Sequence, residues 1–295
     1  MKVVRFKEPV GIAKEQQALV HKANAYVRSV VESEKPVYGI NTGFGKLSDV
    51  PINKCDTAKL QQNLLMSHAC GVGNLLSEEA VRGMMLLRIN ALIRGYSGIR
   101  LLVIEKLVEM LNKDLYPVVF EKGSLGASGD LAPLSHMSLP LIGLGECMYQ
   151  GKRLDTLVAF KQAGIKKIEA LEAKEGLCLI NGTQAMTSIG AITLYDGLRL
   201  AKLANVSLSL TMESLRSIID AFDDRIQQVR GQIGQIESAK RVRTHLVGSS
   251  LITHQGDIRV QDAYAALAML MAMYTKSIPV KKGLEIPSFI HSTTK

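Results

Sequence analysis

Apolar positions recur at helical spacing along most of this chain. Between Lys14 and Glu34, Leu19, Ala23, Tyr26, Val27, Val30 and Val31 fall on one stripe, and Pro36 stops the run. Similar patterns predict helices over about residues 56–69, 77–94 and 99–111, the second with Ser77 as its N-cap. After Asp130 a further helix carries Leu131, Leu134, Met137 and Leu141, with Pro140 bending or shortening it. A long run rich in Ala, Leu, Ile and Ser predicts a helix from about Thr183 to Phe222. Strand signals are short: "VVRF" near the start and "DIRV" at Asp257–Val260. The predicted class is mainly α with short strands near the N-terminus, its long apolar helices built for bundle packing or oligomerisation. No repeat of fixed period is visible.

Two segments interrupt the periodicity. "VYGINTGFGKL" and "GSLGASGDLAPLSHMSLPLIG", the latter Gly123 to Gly143, crowd glycines together and predict loops. In the second, Gly126, Ala127, Ser128 and Gly129 combine small side chains with backbone freedom, the composition a very tight turn needs. Taken alone, a Gly-Ser turn ahead of the helix that follows Asp130 accounts for it.

Composition narrows the classes. With 295 residues, 47% of them hydrophobic, the chain can bury the core of one large domain or two smaller ones, which excludes disorder as its main state. Cys55, Cys70, Cys147 and Cys178 show no CxxC spacing and no nearby histidine cluster of zinc-ligand type, so they read as reduced, buried thiols and no metal site is expected. The formal net charge of +9 admits an acidic partner. Yet the basic residues are scattered, tryptophan is absent and no basic run is interleaved with aromatics, so nucleic-acid binding is not expected. "MKVVRFKEPV" lacks the apolar core of a signal peptide, and no uncharged apolar stretch reaches the roughly 18 residues of a membrane span. The expectation is a soluble, cytoplasmic protein.

Single residues in the loops have ordinary explanations. Tyr38 beside a Gly-rich loop suits a packing role, His68 suits a core histidine at a helix end, and Asn181 suits a helix N-cap before Gly182. Gln261 and Tyr264 suit a surface loop.

Their order along the chain adds a second meaning. "YGINTGFGKL", "NLLMSHACGVG", "GSLGASGDLAPLSHMSLPLIGLGE", "AKEGLCLINGTQAM", "FDDRIQQVRGQIGQ" and "VQDAY" occur in that sequence and closely resemble the histidine ammonia-lyase family of aromatic amino acid lyases, over residues 1 to about 264. The resemblance implies a helical-bundle lyase fold. It divides the chain into an N-terminal domain over 1–200, the start of a central long-helix bundle over 201–264 and a divergent tail over 265–295. It also implies a prosthetic group made from the chain itself. In this family the tripeptide matching Ala127-Ser128-Gly129 cyclises, the amide nitrogen matching Gly129 attacking the carbonyl matching Ala127. Two waters leave, giving 4-methylideneimidazol-5-one (MIO). Glycine leaves the attacking nitrogen unobstructed, and serine supplies the hydroxyl whose loss forms the methylidene.

The same resemblance assigns Tyr38 as general base for the β-proton, His68 to substrate preference, Asn181 to a hydrogen bond at the MIO site, and Gln261 and Tyr264 to the pocket lining. A phenol titrates near pH 10, so the base role requires surroundings that favour phenolate. The Ser67-His68 pair resembles the histidine-specific branch. The implied reaction turns L-histidine into urocanate and ammonia, with tyrosine or phenylalanine, or an aminomutase reaction on them, as the nearest alternatives. A non-catalytic structural or regulatory relative keeping the fold is the reading from another class.

The pattern then breaks. After "QD-x-Y" the family has a serine, one variable residue and a carboxylate-binding arginine, where this chain has Leu267, which cannot replace a bidentate grip. The resemblance implies a further C-terminal part holding a pocket glutamate and much of the helical core. The expected partners are an amino acid substrate and other chains, as a homotetramer or as a hetero-oligomer with a polypeptide supplying the C-terminal half.

Overall fold

The computed structural model describes residues 1–33, 36–45, 50, 52–53, 56–125, 129–252 and 290–292. In chain order the elements are α1 (Lys2–Phe6), β1 (Val10–Ile12), α2 (Lys14–Glu32), α3 (Thr57–His68), β2 (Val72–Leu75), α4 (Glu78–Leu92) and α5 (Leu101–Asn112). There follow β3 (Tyr116–Pro117), β4 (Phe120–Lys122), α6 (Leu131–Ser138), β5 (Glu146–Tyr149), β6 (Lys152–Asp155), α7 (Thr156–Ala163) and α8 (Glu175–Ile180). The last are α9 (Gln184–Ser214), α10 (Asp224–Arg230), α11 (Ile233–Leu246) and β7 (Ile290–Ser292). The chain is mainly helical, as expected, and divides into two compact units, Met1–Ile192 with Glu285–Lys295, and Thr193–Leu284.

In the first unit α4 is central and buried around nearly its whole girth. Ser77 caps it as expected, its side chain accepting the Ala80 N–H at 3.3 Å. Against it pack α1 and α5, and the core runs through Val81, Met84, Met85, Ile89, Ile104, Leu107 and Met110. The N-terminal "VVRF" is helix α1 and not a strand. Buried Arg82 of α4 donates to the carbonyls of Val3 at 2.9 Å and Val4 at 3.3 Å, so the fold requires those oxygens at a helix end, whatever β-branched residues prefer locally. The α2 stripe is also rotated from its expected position. Val20, Asn24, Val27 and Val30 face inward, while Leu19 and Tyr26 are 45% and 68% exposed. Asn24 earns its buried place by donating to the Gly98 carbonyl at 2.8 Å.

A three-stranded antiparallel sheet, β3-β5-β6, and two paired strands, β2-β4, went unsignalled in the sequence pattern. The β5–β6 turn is built by Gln150 and Gly151 at φ 50° and 75°, closing on the Tyr149–Lys152 pair. Pro140 shortens α6 as expected: the α-helix stops at Ser138 and continues as a 3-10 turn to Ile142, ended by Gly143 at φ 82°. The "DIRV" segment lies outside the described residues.

In the second unit the expected helix to Phe222 stops at Ser214, where Arg216 turns at φ 49°. A 3-10 turn over Asp220–Phe222, then α10 and α11, fold back on it around Leu208, Met212, Phe222, Ala239, Val242 and Leu246. The stretch Glu175–Ser214 is long and apolar enough, by length and composition, to cross a membrane, against the expectation that no stretch would be. In the fold it is two helices, and Glu175 at its start is fully buried in an ion pair with Arg100. Cys147 and Cys178 are buried free thiols as expected, pushed up by burial to about 12 and about 11, whereas Cys70 is exposed. Cys55 lies outside the described residues.

Candidate functional site

Helices α3, α6 and α8 pack on one another within the first unit. Gln61 joins two of them: fully buried on α3, it accepts the Gly176 N–H of α8 through Oε1 at 2.9 Å. His68 ends α3, Asp130 precedes α6 and Asn181 follows α8, so three of the loops that carry candidate residues emerge from one helical cluster.

The loop that bears the Ala-Ser-Gly tripeptide is pinned on both sides. On its N-terminal side Gly123 sits at φ 131°, where a Cβ would lie 3.0 Å from the Gly71 Cα, so two backbones touch. Gly71 in turn donates its N–H to His136 Nε2 at 3.0 Å. On the C-terminal side Gly129 adopts φ 86°, and a Cβ there would lie 2.5 Å from the Gly182 carbonyl oxygen. The Asp130 N–H donates to that same oxygen at 2.6 Å.

The Asp130 carboxylate closes the loop. It is 1% exposed; Oδ1 accepts from Ser124 Oγ at 2.7 Å, and Oδ2 accepts the Met186 N–H in the first turn of α9 at 3.0 Å. A carboxylate at a helix N-terminus is favoured by the exposed amides there. Ser124 and Asp130 thus bridge the segment that contains Gly126, Ala127 and Ser128. Ala127 and Ser128 themselves lie outside the described residues.

Asn181 is not the N-cap of the helix that follows. It ends α8 in an extended conformation, φ −84° and ψ 100°, with its N–H on the Leu177 carbonyl at 3.0 Å, and it is exposed. The turn it shares with Gly182 is clasped by Arg88 of α4, whose guanidinium donates to Gln184 Oε1 at 2.9 Å and to the Cys178 carbonyl. Burial pushes Arg88 down to about 10, which leaves it cationic at neutral pH.

Tyr38 is 61% exposed on a turn whose next residue, Gly39, touches Leu177 of α8, and its ring meets Phe44 edge-on at 6.4 Å. The loop is laced by Val37 N–H to Asn41 Oδ1 at 2.7 Å. His68 is half-buried. Its Nδ1 lies 2.9 Å from the Leu64 carbonyl, which can only accept, so Nδ1 carries a proton and Nε2 is the nitrogen left free to accept in the corresponding tautomer. Gln261, Tyr264 and Leu267 lie outside the described residues.

The structure therefore gathers Gly129, Asn181 and the Tyr38 turn around α8, with the chain just past His68 meeting the loop at Gly71 and Gly123. Asp130, Arg88, Gln184 and His136 went unnoticed as site residues in the sequence. Arg88 had a signal, a cation inside the apolar run "MMLLRINAL". The others had none, because their partners are remote in the chain.

A mainly helical fold with a glycine-pinned Ala-Ser-Gly loop defines a recognisable class, and the comparisons agree. Residues 1–271 match the aromatic amino acid lyase family, and the chain belongs to it. It is 55% identical over 255 residues to a histidine ammonia-lyase of Alkaliphilus oremlandii, covering 86% of this chain and 50% of that protein. It is 54% identical over 264 residues to one of Caldanaerobacter subterraneus subsp. tengcongensis, covering 90% and 52%. The chain thus spans about half the length of these relatives. Among solved structures, a histidine ammonia-lyase of Trypanosoma cruzi superposes with a TM-score of 0.82 at 32% identity, over 93% of this chain and 51% of that one. A tyrosine aminomutase of Streptomyces globisporus gives 0.85 at 28%, over 94% and 56%.

Proposed function

We propose that this chain carries the electrophile-forming segment of an ammonia-lyase that converts L-histidine to urocanate and ammonia. The observation that carries the reading is the pinned loop. The described residues on either side of the loop are fixed by the Gly71–Gly123 contact and by the Gly182 carbonyl, and Gly129 occupies a position where any side chain collides. That geometry fits a cyclised tripeptide, since glycine is demanded both by the backbone and by an attacking amide nitrogen. MIO, once formed, supplies an electrophile for the substrate amine that no ordinary side chain offers.

Groups of this chain supply part of the rest, and the carboxylate grip that Leu267 cannot give falls to a C-terminal half. Tyr38 takes the β-proton while the α-carbon loses ammonia, so that a C–H and a C–N bond break and a C=C bond forms. His68, with Nδ1 held by Leu64, offers Nε2 to the imidazole N–H of the substrate. The family resemblance gives Asn181, Gln261 and Tyr264 the task of orienting the amino acid. The expected partners are further copies of the chain, as a tetramer, or a polypeptide supplying the C-terminal half, with the apolar face of α9 as the surface for either. The fold is shared with aminomutases at 28% identity, but the Ser67-His68 pair and the relatives above 50% favour histidine and deamination.

The test is intact-mass spectrometry of the purified chain. The expected mass is short by two waters, with a near-ultraviolet band quenched by borohydride or cyanide, and Ser128→Ala restores the full mass and removes the band. A full-length mass in the unmutated chain sinks the reading. Urocanate formation from L-histidine, followed at its absorption band, separates a lyase from a non-catalytic relative that makes the group and does not turn over.

A further inference from the structure

Arg88 has the burial and the contacts of a residue with a defined task. It is 5% exposed, and its Nε is buried with no acceptor among the described residues. Such a group costs free energy unless its remaining bonds repay it. Those bonds go to two points that bracket one turn. The Cys178 carbonyl is among the last in α8, where no intrahelical donor reaches and a cation is favoured, and Gln184 is the first residue of α9. Between them lie Asn181 and Gly182. A Cβ on Gly182 would collide with both the Gln184 amide and the Arg88 guanidinium, so this turn rests directly on the fork. The same glycine offers its carbonyl to the Asp130 N–H at 2.6 Å, and Gly129 packs so near that oxygen that a Cβ there would lie 2.5 Å from it.

We propose that Arg88 is a positioning residue for cyclisation: by fixing the Cys178–Gln184 turn, it sets the Gly182 carbonyl that seats Gly129 and Asp130 at the end of the tripeptide loop. This rests on the reading that the tripeptide condenses. A ring closure between neighbouring peptide groups depends steeply on approach, and a displacement near 1 Å costs such a step roughly 100-fold in rate. Arg82 provides the internal contrast. It lies on the same helix, is 1% exposed, and gives its donors to Val3, Val4, Leu111 and Asp114, not to the Cys178–Gln184 turn.

The experiment synthesises the whole chain afresh in a cell-free reaction and follows, by mass spectrometry over time, the loss of water from the peptide that contains residues 126–129, with circular dichroism of the purified chain confirming the folded fraction. Arg88→Gln is expected to dehydrate roughly 100-fold more slowly than the unmutated chain. Arg88→Lys, which keeps the charge but not the fork, should recover part of the rate. Gln184→Met, which removes one acceptor from the other side, should slow it in the same direction and remains informative where Arg88→Gln fails to fold. Arg82→Lys should lower thermal stability and leave dehydration of the folded fraction unchanged. Folded Arg88→Gln or Gln184→Met dehydrating at the unmutated rate overturns the inference alone, and so does an equal loss in Arg82→Lys. An unmutated chain of full mass overturns both this inference and the proposed function.

Discussion

A proton on His136 would undo the contact that seats Gly71 beside the loop. Its Nε2 accepts the Gly71 N–H at 3.0 Å, its ring meets Phe120 edge-on at 5.1 Å, and burial lowers its pKa below the ordinary 6.5. The folded chain therefore binds this proton less readily than the unfolded chain. The stability His136 contributes is complete above the unfolded pKa and falls as pH drops through about 6.5 toward the lower folded value. Melting temperature is expected to decline between about pH 7.5 and 5.5 more steeply in the unmutated chain than in His136→Gln, which can accept the same N–H without titrating. Identical slopes in differential scanning calorimetry would assign the acid sensitivity elsewhere. None of this was legible in "LAPLSHMSLPLIG", where helical spacing picks out the leucines and Met137 and passes over the polar residues between them. Asp130 was hidden for the same reason: its meaning lies in Met186, 56 residues away.

Short α8 shows how an element that could not stand alone becomes the floor of a site. Its six residues cannot repay helix nucleation, so its place is set by tertiary pins. Glu175, fully buried at its first turn, accepts from Arg100 Nε and Nη2 at 2.7 Å each, from the Arg100 backbone N–H at 3.1 Å and from the Glu172 N–H at 2.7 Å. Because Arg100 precedes α5, one carboxylate ties the start of α5 to the start of α8. The hydrogen bond from Glu175 raises the Arg100 pKa further. Glu175→Gln leaves half-buried Arg100 without its main counter-charge and is expected to cost about 3 kcal/mol in urea unfolding. Amide exchange at Cys178 to Asn181 should accelerate with it, and a loss below roughly 0.5 kcal/mol would show that α8 is held by packing instead. At this scale the sequence was a fair guide where elements are long and striped, as in α3, α4 and α5. It failed where an element is short or its face is chosen by a distant polar partner, as with α1, the rotated α2 and the strands of two to four residues.

For the whole molecule, the order of six motifs carried more than any periodicity, because a family's site is scattered over loops that only the fold assembles. What the loops leave unexplained is the surface of α9. Leu200, Leu203 and Leu210 are 64%, 59% and 60% exposed, and with Val206 their spacing of three and four residues makes a single stripe. A contiguous apolar stripe on a helix is a surface for association. Each leucine transferred from water into an interface contributes about 2 kcal/mol. The net charge of +9 opposes that gain through mutual repulsion, which salt screens. The unmutated chain is therefore expected to sediment as an assembly larger than the monomer, and more completely as ionic strength rises. Leu200→Glu combined with Leu203→Glu and Leu210→Glu should shift it to monomer at micromolar concentration while the far-ultraviolet dichroism of the helices persists. Since the pinned loop lies wholly in the first unit, that triple variant should still lose its two waters. An assembly unchanged by the three charges would remove this stripe as the contact, and a variant that associates normally but keeps its full mass would tie the loop to α9 by a route the packing does not predict.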